Sequence, residues 1–206
     1  MKFDLHMHTT RHSPDSQMDP FDLVRQAVKI GLDGVVITEH DWLWKEAELD
    51  ELRASVPELL IFGGVEVSAQ EGHFLAYGIH DPFAIPARIG VADLCREVHR
   101  QGGAVVAAHP FRWGQPFDEI LRDERPELDG LELMTNNMDA ICREQAAGIW
   151  RERQLAGIGS SDAHETRVLG VCYTDFDWTI RNAHDLVEAI RSRRAVARDR
   201  TQQAGR

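Results

Sequence analysis

The chain opens on a strict alternation of side chains, in which Phe3, Leu5 and Met7 are apolar and Asp4, His6 and His8 are polar. A β-strand turns successive side chains to opposite faces, so the alternation predicts a strand with both imidazoles on one face and a carboxylate behind them. Two imidazoles on one face make half of a metal site. For the H-x-H pair taken alone, a surface strand with two chance histidines is the alternative.

Apolar runs and amphipathic segments alternate along the rest of the chain, which is typical of βαβ units. Apolar runs predict strands at residues 34–38, 59–67, 74–79, 104–108, 130–134, 155–159 and 169–173. Capping residues and helical apolar spacing predict helices at residues 20–30, 42–55, 91–101, 115–122, 138–153 and 182–193. The inward side chains predicted for the fifth of these helices are Met138, Ile141, Cys142, Gln145 and Ile149.

The length of 206 residues fits a single domain. We predict a barrel domain at residues 1–193 and a basic, disordered tail at residues 194–206. Six of the last sixteen residues are arginine, and no apolar stripe persists among them. No internal repeat or low-complexity linker divides the remainder.

The composition, 43% hydrophobic and 28% charged, is that of a globular protein. The chain has neither an apolar run of roughly 18 residues nor a signal-peptide pattern, so we expect no membrane association and a cytoplasmic location. Three cysteines without a CxxC pair suit a reducing compartment. The formal charge of -11 argues against binding of duplex nucleic acid, which needs a basic face, but it does not exclude phosphorylated substrates.

Metal-binding side chains recur at the ends of the predicted strands. They are His6, His8, Asp15, His40, Glu66, His73, His109, Asp162 and His164. Because functional groups of α/β barrels collect at the carboxyl ends of the strands, we expect these side chains to converge. Nine donors are too many for one ion, and imidazole with carboxylate but no thiolate suits zinc, manganese or iron. Glu66 has two oxygens and could bridge two cations, so the sequence predicts two or three ions and hydrolytic chemistry.

The same residues belong to a series of short motifs that spans nearly the whole chain. These are DLHMHTT at 4–10, SPDS at 13–16, VVITEHD at 35–41, GVEVS at 64–68, GHF at 72–74, AHP at 108–110 and GSSDAH at 159–164. In this order and spacing the sequence resembles the PHP (polymerase and histidinol phosphatase) family. The resemblance implies an α/β fold, a distorted (β/α)7 TIM-like barrel with a two- or three-metal site at its open end.

Carried over residue by residue, the resemblance implies three groups of ligands. His6, His8, Glu66 and Asp162 would hold one ion, and Glu66 would bridge to a second ion held by His73 and His109. Asp15, His40 and His164 would hold a third ion. His12 is the alternative to Asp15, although the SPD spacing favours Asp15. The resemblance further implies that a metal-bridging hydroxide attacks phosphorus in line.

The predicted function is a metal-dependent phosphoesterase acting on a phosphomonoester, either a small metabolite, a nucleotide or an oligonucleotide end. The large insertion that some nucleotide-specific members carry before the AHP-like motif is absent, which leaves the substrate open. One alternative is an amidohydrolase-type enzyme, which also opens on H-x-H but commonly bridges its metals with a carboxylated lysine. Only Lys2, Lys29 and Lys45 are present, and none is placed for that role. The other alternative is a non-catalytic metal-binding module.

Several further residues lie close to the presumed ligands. Arg112, with Asp162 and His164, is a catalytic candidate, because a planar guanidinium suits phosphate; a plain surface arginine is the alternative. Arg167 is a weaker candidate for the same role. Asp4 is expected to orient an imidazole, and Glu39 and Asp41 either do the same or are solvated loop charges. We expect Glu132 to form buried hydrogen bonds, and Trp42 and Trp44 to cover the barrel. The three remaining histidines, His80, His99 and His184, are expected to be structural.

Overall fold

Residues 1–200 are described by a computed structural model, in which strands and helices alternate along most of the chain. The strands are β1 (Lys2–Asp4), β2 (Gly34–His40), β3 (Leu60–Ser68), β4 (His73–Tyr77), β5 (Ala104–Ala107), β6 (Gly130–Met134), β7 (Ala156–Gly159), β8 (Cys172–Phe176) and β9 (Ala195–Asp199). The helices are α1 (Pro20–Lys29), α2 (Glu46–Ser55), α3 (Val91–Arg100), α4 (Phe117–Asp123), α5 (Ala140–Arg153) and α6 (Ala183–Arg191).

The nine strands described close into one barrel in the order β1-β2-β3-β4-β5-β6-β7-β9-β8. Seven of them run in the same direction, whereas β4 and β8 are antiparallel to both of their neighbours. The predicted α/β barrel is therefore confirmed, with two antiparallel strands added to the seven parallel ones. A parallel barrel brings the carboxyl ends of its strands to one mouth, and that mouth holds the candidate site.

Apolar side chains from strands all around the barrel fill its interior. Phe3, Val36, Leu75, Val106 and Ile158, from five different strands, belong to one buried cluster. A side chain on the β2 glycine, Gly34, would come within 2.1 Å of the Phe3 ring, so any larger residue there would have to displace this buried ring. Because apolar side chains fill this interior, the polar side chains of the site lie at one open end of the barrel.

The first helix forms as its capping residues predict. The Asp19 carboxylate accepts hydrogen bonds from the backbone N–H groups of Phe21 and Asp22, at 2.8 and 3.2 Å, and Pro20 occupies the first helical position. Gly31 ends the segment with a φ of +73°, a conformation that glycine adopts at no steric cost. The helix thus starts and ends where its sequence dictates, and it carries the chain back to β2.

The prediction of a disordered tail from residue 194 is wrong for residues 195–199. These residues form β9, which pairs antiparallel with β8 over five positions and parallel with β7 at Gly157 and Val196. The strand is short and carries arginine, and Val196 is 46% exposed, so its own sequence gives no apolar pattern. It is stabilised by its place between two strands. Residues 201–206, the rest of the predicted tail, lie outside the described part of the chain.

Three other expectations are corrected. Strand β8 begins at Cys172 instead of residue 169, because a turn with Gly170 at φ +68° precedes it. Helix α2 begins at Glu46 instead of residue 42. In α5, Ile141 is 69% exposed and Gln145 is exposed, while the small Ala146 is buried against the barrel. No helix within residues 1–200 combines the length and the apolar character needed to cross a lipid bilayer.

Candidate metal centre

The nine predicted ligands lie together at the mouth formed by the carboxyl ends of the parallel strands. His40 and Glu66 lie in the last part of β2 and β3, and His6, His109 and Asp162 follow β1, β5 and β7. His73 opens its strand instead of ending it. Because β4 runs antiparallel, with Ser68 opposite His73, its first residue reaches the same mouth.

His6, His8, Glu66 and Asp162 form the deepest group of ligands, and all four are buried. Glu66 Oε2 lies 3.2 Å from His6 Nε2 and 3.1 Å from His8 Nε2. Asp162 Oδ1 lies 3.4 Å from each of the same two nitrogens. Two imidazole nitrogens and two carboxylate oxygens therefore converge on one point, as the ligands of a single cation would.

Glu66 links this group to a second one, because its other oxygen, Oε1, lies 2.8 Å from His73 Nδ1 and 3.0 Å from His109 Nε2. The two oxygens of one buried carboxylate thus face two different sets of imidazoles. This is the bridging arrangement expected for Glu66.

A third group lies nearer to solvent, where ligand atoms of His8, His40 and His164 approach one another. Asp15 Oδ2 lies 3.2 Å from His40 Nε2 and 3.1 Å from His164 Nε2, so it completes this group. His12 faces away, with its Nε2 atom 3.1 Å from Glu48 Oε1. The geometry therefore favours Asp15 over His12.

The hydrogen bonding of the buried carboxylates tests whether the residues fit cations. Glu66 Oε2 makes no hydrogen bond of acceptable geometry, although nitrogens of His6, His8 and His40 lie within 3.1 to 3.2 Å of it. A buried acceptor without a donor costs free energy unless another partner satisfies it. Several nitrogens aimed at one carboxylate oxygen without donating to it are the arrangement of ligands around a cation, so the residues fit the expected metals.

The charges of the site agree with this fit. Burial raises the pKa of Glu66, but the surrounding imidazoles, His6 foremost, outweigh burial and hold that pKa well below its usual range. The pKa of Asp162 is lowered in the same way, with the charge of His6 overcoming burial. Both carboxylates are therefore ionised at neutral pH, and they supply negative charge in a buried place where it attracts cations strongly.

Glu132 fixes two of the ligands from behind. Its Oε1 atom lies 3.0 Å from His6 Nδ1, and its Oε2 atom accepts a hydrogen bond of 2.6 Å from the backbone N–H of His109. The hydroxyl of Ser160 also donates to it. Glu132 has the predicted buried hydrogen-bonding role, and its contact with His6 sets the direction in which that imidazole presents Nε2.

Glu39 is fully buried, so its interpretation as a solvated loop charge is wrong. Its carboxylate accepts hydrogen bonds from the backbone and hydroxyl of Thr9, from the Ser13 hydroxyl and from the indole N–H of Trp44. Its partners lie in the first loop and in Trp44, so it does not orient an imidazole directly. Glu39 instead holds the loop that carries Asp15.

Asp4 and Asp41 also bind backbone instead of imidazoles. The Asp4 carboxylate accepts hydrogen bonds from the N–H groups of Ser161 and Gly170, at 2.9 and 2.8 Å, which fixes the segment that carries Asp162. Burial raises the pKa of Asp4 to about 6. Asp41 accepts a bond of 2.7 Å from the N–H of Ser68. The prediction that Asp4 orients an imidazole is therefore wrong.

Two side chains contact Asp162 from the rim of the site. Arg112 Nη1 lies 3.3 Å from Asp162 Oδ2, and Asn137 Nδ2 donates to the same oxygen at 2.6 Å. Asn137 was not predicted, and the only sequence signal for it is its position shortly after β6. Arg167 instead pairs with Glu165 and is largely exposed, so it is not part of the site.

The remaining aromatic and histidine residues lie outside the ligand cluster. Trp44 is 2% exposed and bonds to Glu39, whereas Trp42 is 44% exposed and packs beside His12. His99 pairs with Asp129, on the far side of β5 and β6. Among the described residues, the groups that could hold a metal ion are formed by eight of the nine predicted side chains, and Asp15 lies beside the outermost of these groups, next to His40 and His164.

Comparison with known families matches the PHP domain over residues 4–149 and the PHP-associated region over residues 141–195. The chain belongs to the PHP domain family. The first match contains seven of the nine candidate ligands, up to His109, and the second contains the other two, Asp162 and His164. The predicted family is thus confirmed.

Proteins related in sequence or in structure are found at low identity. An uncharacterized protein of Methanocaldococcus jannaschii is 27% identical over 144 residues, which is 65% of this chain and 81% of that protein. A Bacteroides vulgatus two-domain protein containing a predicted PHP-like metal-dependent phosphoesterase is 24% identical with a TM-score of 0.76, over 97% of this chain and 64% of that chain. A Bifidobacterium adolescentis protein named a metal-dependent phosphoesterase is 23% identical with a TM-score of 0.62, over 79% of this chain and 87% of that chain. This chain therefore spans less than two thirds of the Bacteroides protein, and these structures establish the fold.

Proposed function

We propose that this PHP domain protein is a metal-dependent phosphoesterase that releases phosphate from a small phosphomonoester. The observation that carries the proposal is the sharing of Glu66 between two sets of imidazoles, at the mouth of a barrel and next to an arginine. The phosphoesterase names of the two structural relatives support the same reaction class. The fold alone would not, since one fold hosts many activities.

The residues would hold two or three divalent ions of zinc, manganese or iron. His6, His8, Glu66 and Asp162 would hold one, Glu66 with His73 and His109 a second, and Asp15 with His40 and His164 a third. When bound, ions of this kind supply Lewis-acid activation of water and neutralise charge on a phosphate.

The chain's own side chains position the ester. The side chains of His40 and His164 are 29% and 28% exposed, so this outer group meets solvent, whereas His6 and His8 are fully buried. His73 of the second group is 32% exposed as well, so the substrate enters from the mouth where these two groups meet solvent. Arg112 is 22% exposed and reaches Asp162, which places a guanidinium beside the ligands, where it can bind phosphate oxygens.

The amidohydrolase alternative lacks its usual bridge. In that class a modified lysine commonly joins two metals, and here Glu66 stands between the imidazole groups. A non-catalytic metal-binding module is distinguished by experiment. We further propose a cytoplasmic location and a small phosphorylated substrate instead of duplex nucleic acid, in keeping with the charge of -11.

The test joins elemental analysis of the native protein to phosphate release from a panel of aryl, sugar and nucleotide monoesters. His8→Ala and Asp162→Ala should lose bound metal and lower hydrolysis more than about 100-fold, with the fold retained by circular dichroism. His184→Ala is the matched control, because this histidine is exposed on α6, away from the ligands. Unchanged hydrolysis of an aryl phosphate by both ligand variants would refute the proposal, and metal without turnover on any ester would favour the non-catalytic module.

A further inference from the structure

A cleft of about 280 Å³ lies beside the second ligand group. One wall is the turn at residues 71–73, and the other is the loop at residues 109–115. Both walls end in a candidate ligand, His73 on one side and His109 on the other. Whatever occupies this cleft therefore lies beside the second ligand group.

The loop at residues 109–115 is held in an unusual backbone conformation. His109, Phe111 and Trp113 have φ values of 30°, 69° and 57°, in a region that side chains other than glycine rarely adopt. Such conformations cost free energy, and they persist where the surroundings impose them, often at functional sites. The Phe111 ring packs edge-on against Phe117, with ring centroids 5.6 Å apart, and thereby anchors the loop to the core.

Gln115 anchors the other end of this loop across the cleft. Its Nε2 atom donates a hydrogen bond of 2.9 Å to the Glu71 carbonyl. The opposite residue is Gly72, where a side chain would come within 2.0 Å of the same nitrogen. The loop is thus tied near both ends, which holds the backbone of Trp113, between them, beside the cleft.

Trp113 is 84% exposed, and its ring lies against Arg112, whose guanidinium carbon is 3.9 Å from the ring centroid. The same guanidinium reaches Asp162 on its other side, at 3.3 Å. Asp162 of the ligand cluster, the Arg112 guanidinium and the Trp113 ring therefore lie in sequence, each in contact with the next. Single exposed aromatic residues are common, so the exposure of Trp113 alone means little. The order of the three groups is what points to a ligand.

We propose that Trp113 is a specificity-determining residue that stacks on a planar ring carried by the alcohol part of the phosphate ester, while Arg112 contacts the phosphate. A nucleoside monophosphate has this form, because its base is separated from the phosphate by one sugar. Aromatic side chains stack on any base through its π-face, so the preference is for a ring and not for one base. This inference rests on the proposed phosphoesterase function and adds the class of its substrate.

The experiment compares two esters, adenosine 5′-monophosphate and ribose 5-phosphate, using the metal-loaded protein. Both contain the ribose 5-phosphate unit, and only the first carries an adenine base. The wild type should favour the nucleotide in kcat/KM. Trp113→Ala should lower kcat/KM for the nucleotide by about tenfold more than for ribose 5-phosphate, as expected for the loss of one stacking contact. Trp113→Phe, which keeps a ring, should retain most of the preference.

Trp178→Ala is the matched control. Trp178 is also exposed, at 38%, and also lies near an arginine, Arg194, at 5.8 Å. It follows β8 at the opposite end of the barrel, where the N–H of Phe176 bonds to the Met1 carbonyl. This variant should change neither rate.

Equal efficiency of the wild type on both esters would overturn the inference, and so would a Trp113→Ala loss of equal size on both. These results would leave the proposed function standing. If neither ester is hydrolysed, the panel of monoesters decides the proposed function, and calorimetric binding of adenosine, the product without phosphate, decides the inference. Binding by the wild type that Trp113→Ala weakens about tenfold supports it, and absence of binding by the wild type overturns it.

Discussion

Replacing Glu39 by glutamine should destabilise the protein by about 2 kcal/mol. The Glu39 carboxylate accepts hydrogen bonds from Thr9 N at 3.0 Å, Thr9 Oγ1 at 2.5 Å, Ser13 Oγ at 2.5 Å and Trp44 Nε1 at 2.9 Å. All of these groups are buried donors in the present arrangement, and water does not reach Glu39 to replace the carboxylate.

The size of this destabilisation depends on which of the four donors can also pair with a glutamine side chain. Glutamine has the shape of glutamate, but one of its two terminal atoms is an N–H donor. The hydroxyls of Thr9 and Ser13 can rotate and accept from this amide, whereas the backbone N–H of Thr9 and the indole N–H of Trp44 cannot. Because these two fixed donors face different oxygens, either orientation of the amide leaves one of them unpaired. A buried unpaired donor costs about 1–3 kcal/mol.

Thermal unfolding measures this cost. For a chain of this length, about 2 kcal/mol lowers Tm by about 4–8 °C. Glu46→Gln is the matched control: Glu46 is 77% exposed and pairs with Arg53 at the surface, so this change should cost less than about 1 kcal/mol. Ser13 also contacts His8 Nδ1 at 3.3 Å, so Glu39→Gln should weaken metal uptake as well. A Tm for Glu39→Gln within 1 °C of the control variant's, an interval of about 0.3 kcal/mol, would refute the reasoning.

Three further predictions concern protonation and the carboxyl end of the chain. Because burial raises the folded pKa of Asp4 to about 6 from 3.8, the folded state binds this proton more tightly, so the resulting stability is present below about pH 4 and lost as pH rises to about 6. Urea unfolding of the chelated protein should therefore show a loss of about 3 kcal/mol across this range that Asp4→Asn lacks; an identical pH profile for both proteins would contradict it. Burial lowers the pKa of His40, but the negative charges of Glu66 and Asp15 outweigh burial and raise it to about 9, so metal binding should displace its proton. Calorimetry of zinc binding at pH 7.5 in two buffers of different ionisation enthalpy should find at least one proton released, and equal heats would contradict this. Deletion of residues 195–206 removes β9 and should leave the protein unfolded, whereas a chain ending at Arg200, which bonds to Val171 and Gly170, should fold; folding of both would refute the role of β9.

The convergence of the candidate ligands could be predicted from sequence because most of them follow a local rule. His40 and Glu66 end apolar runs, and Asp162 comes shortly after one, so a parallel barrel alone brings them together. His73 begins its strand instead of ending it, and it reaches the same mouth because that strand is antiparallel. The motifs place each side chain on a strand end, and closure of the barrel then determines the distances between them.

The partners of the ligands could not be predicted in this way. Glu39 and Asp41 flank the ligand His40, yet one is buried under the first loop and the other bonds to the end of β3. Their environments depend on how loops fold over the barrel mouth, and no periodicity in the sequence records that. Asn137 is a similar case, because only the position of the segment after β6 brings it to Asp162.

The errors in the predicted fold have the same origin. Strand β9 lacks an apolar pattern because its neighbours β7 and β8 provide its hydrogen bonds, and a strand completed by long-range pairing needs no strong local preference. In α5 the apolar Ile141 faces solvent and the small Ala146 faces the barrel, since a small residue lets the helix approach the sheet closely. The apolar spacing therefore predicted where the helix lies, whereas packing against the sheet determines which of its faces is buried.

The three ligand groups are parts of a single structure, because two residues belong to more than one of them. Glu66 lies in the first and second groups, and His8 in the first and third. The His8 ring also stacks on the rings of His40 and His164, with centroids 4.2 and 4.4 Å away. The outer group therefore packs against a candidate ligand of the inner group. In the proposed metal centre, an ion that orders Glu66 or His8 in one group would therefore also order a ligand of the next. We therefore expect the occupancy of each group to depend on its neighbours, and the buried Glu132 and Glu39, which hold His6 and the first loop, to act on the site as a whole instead of on a single ion.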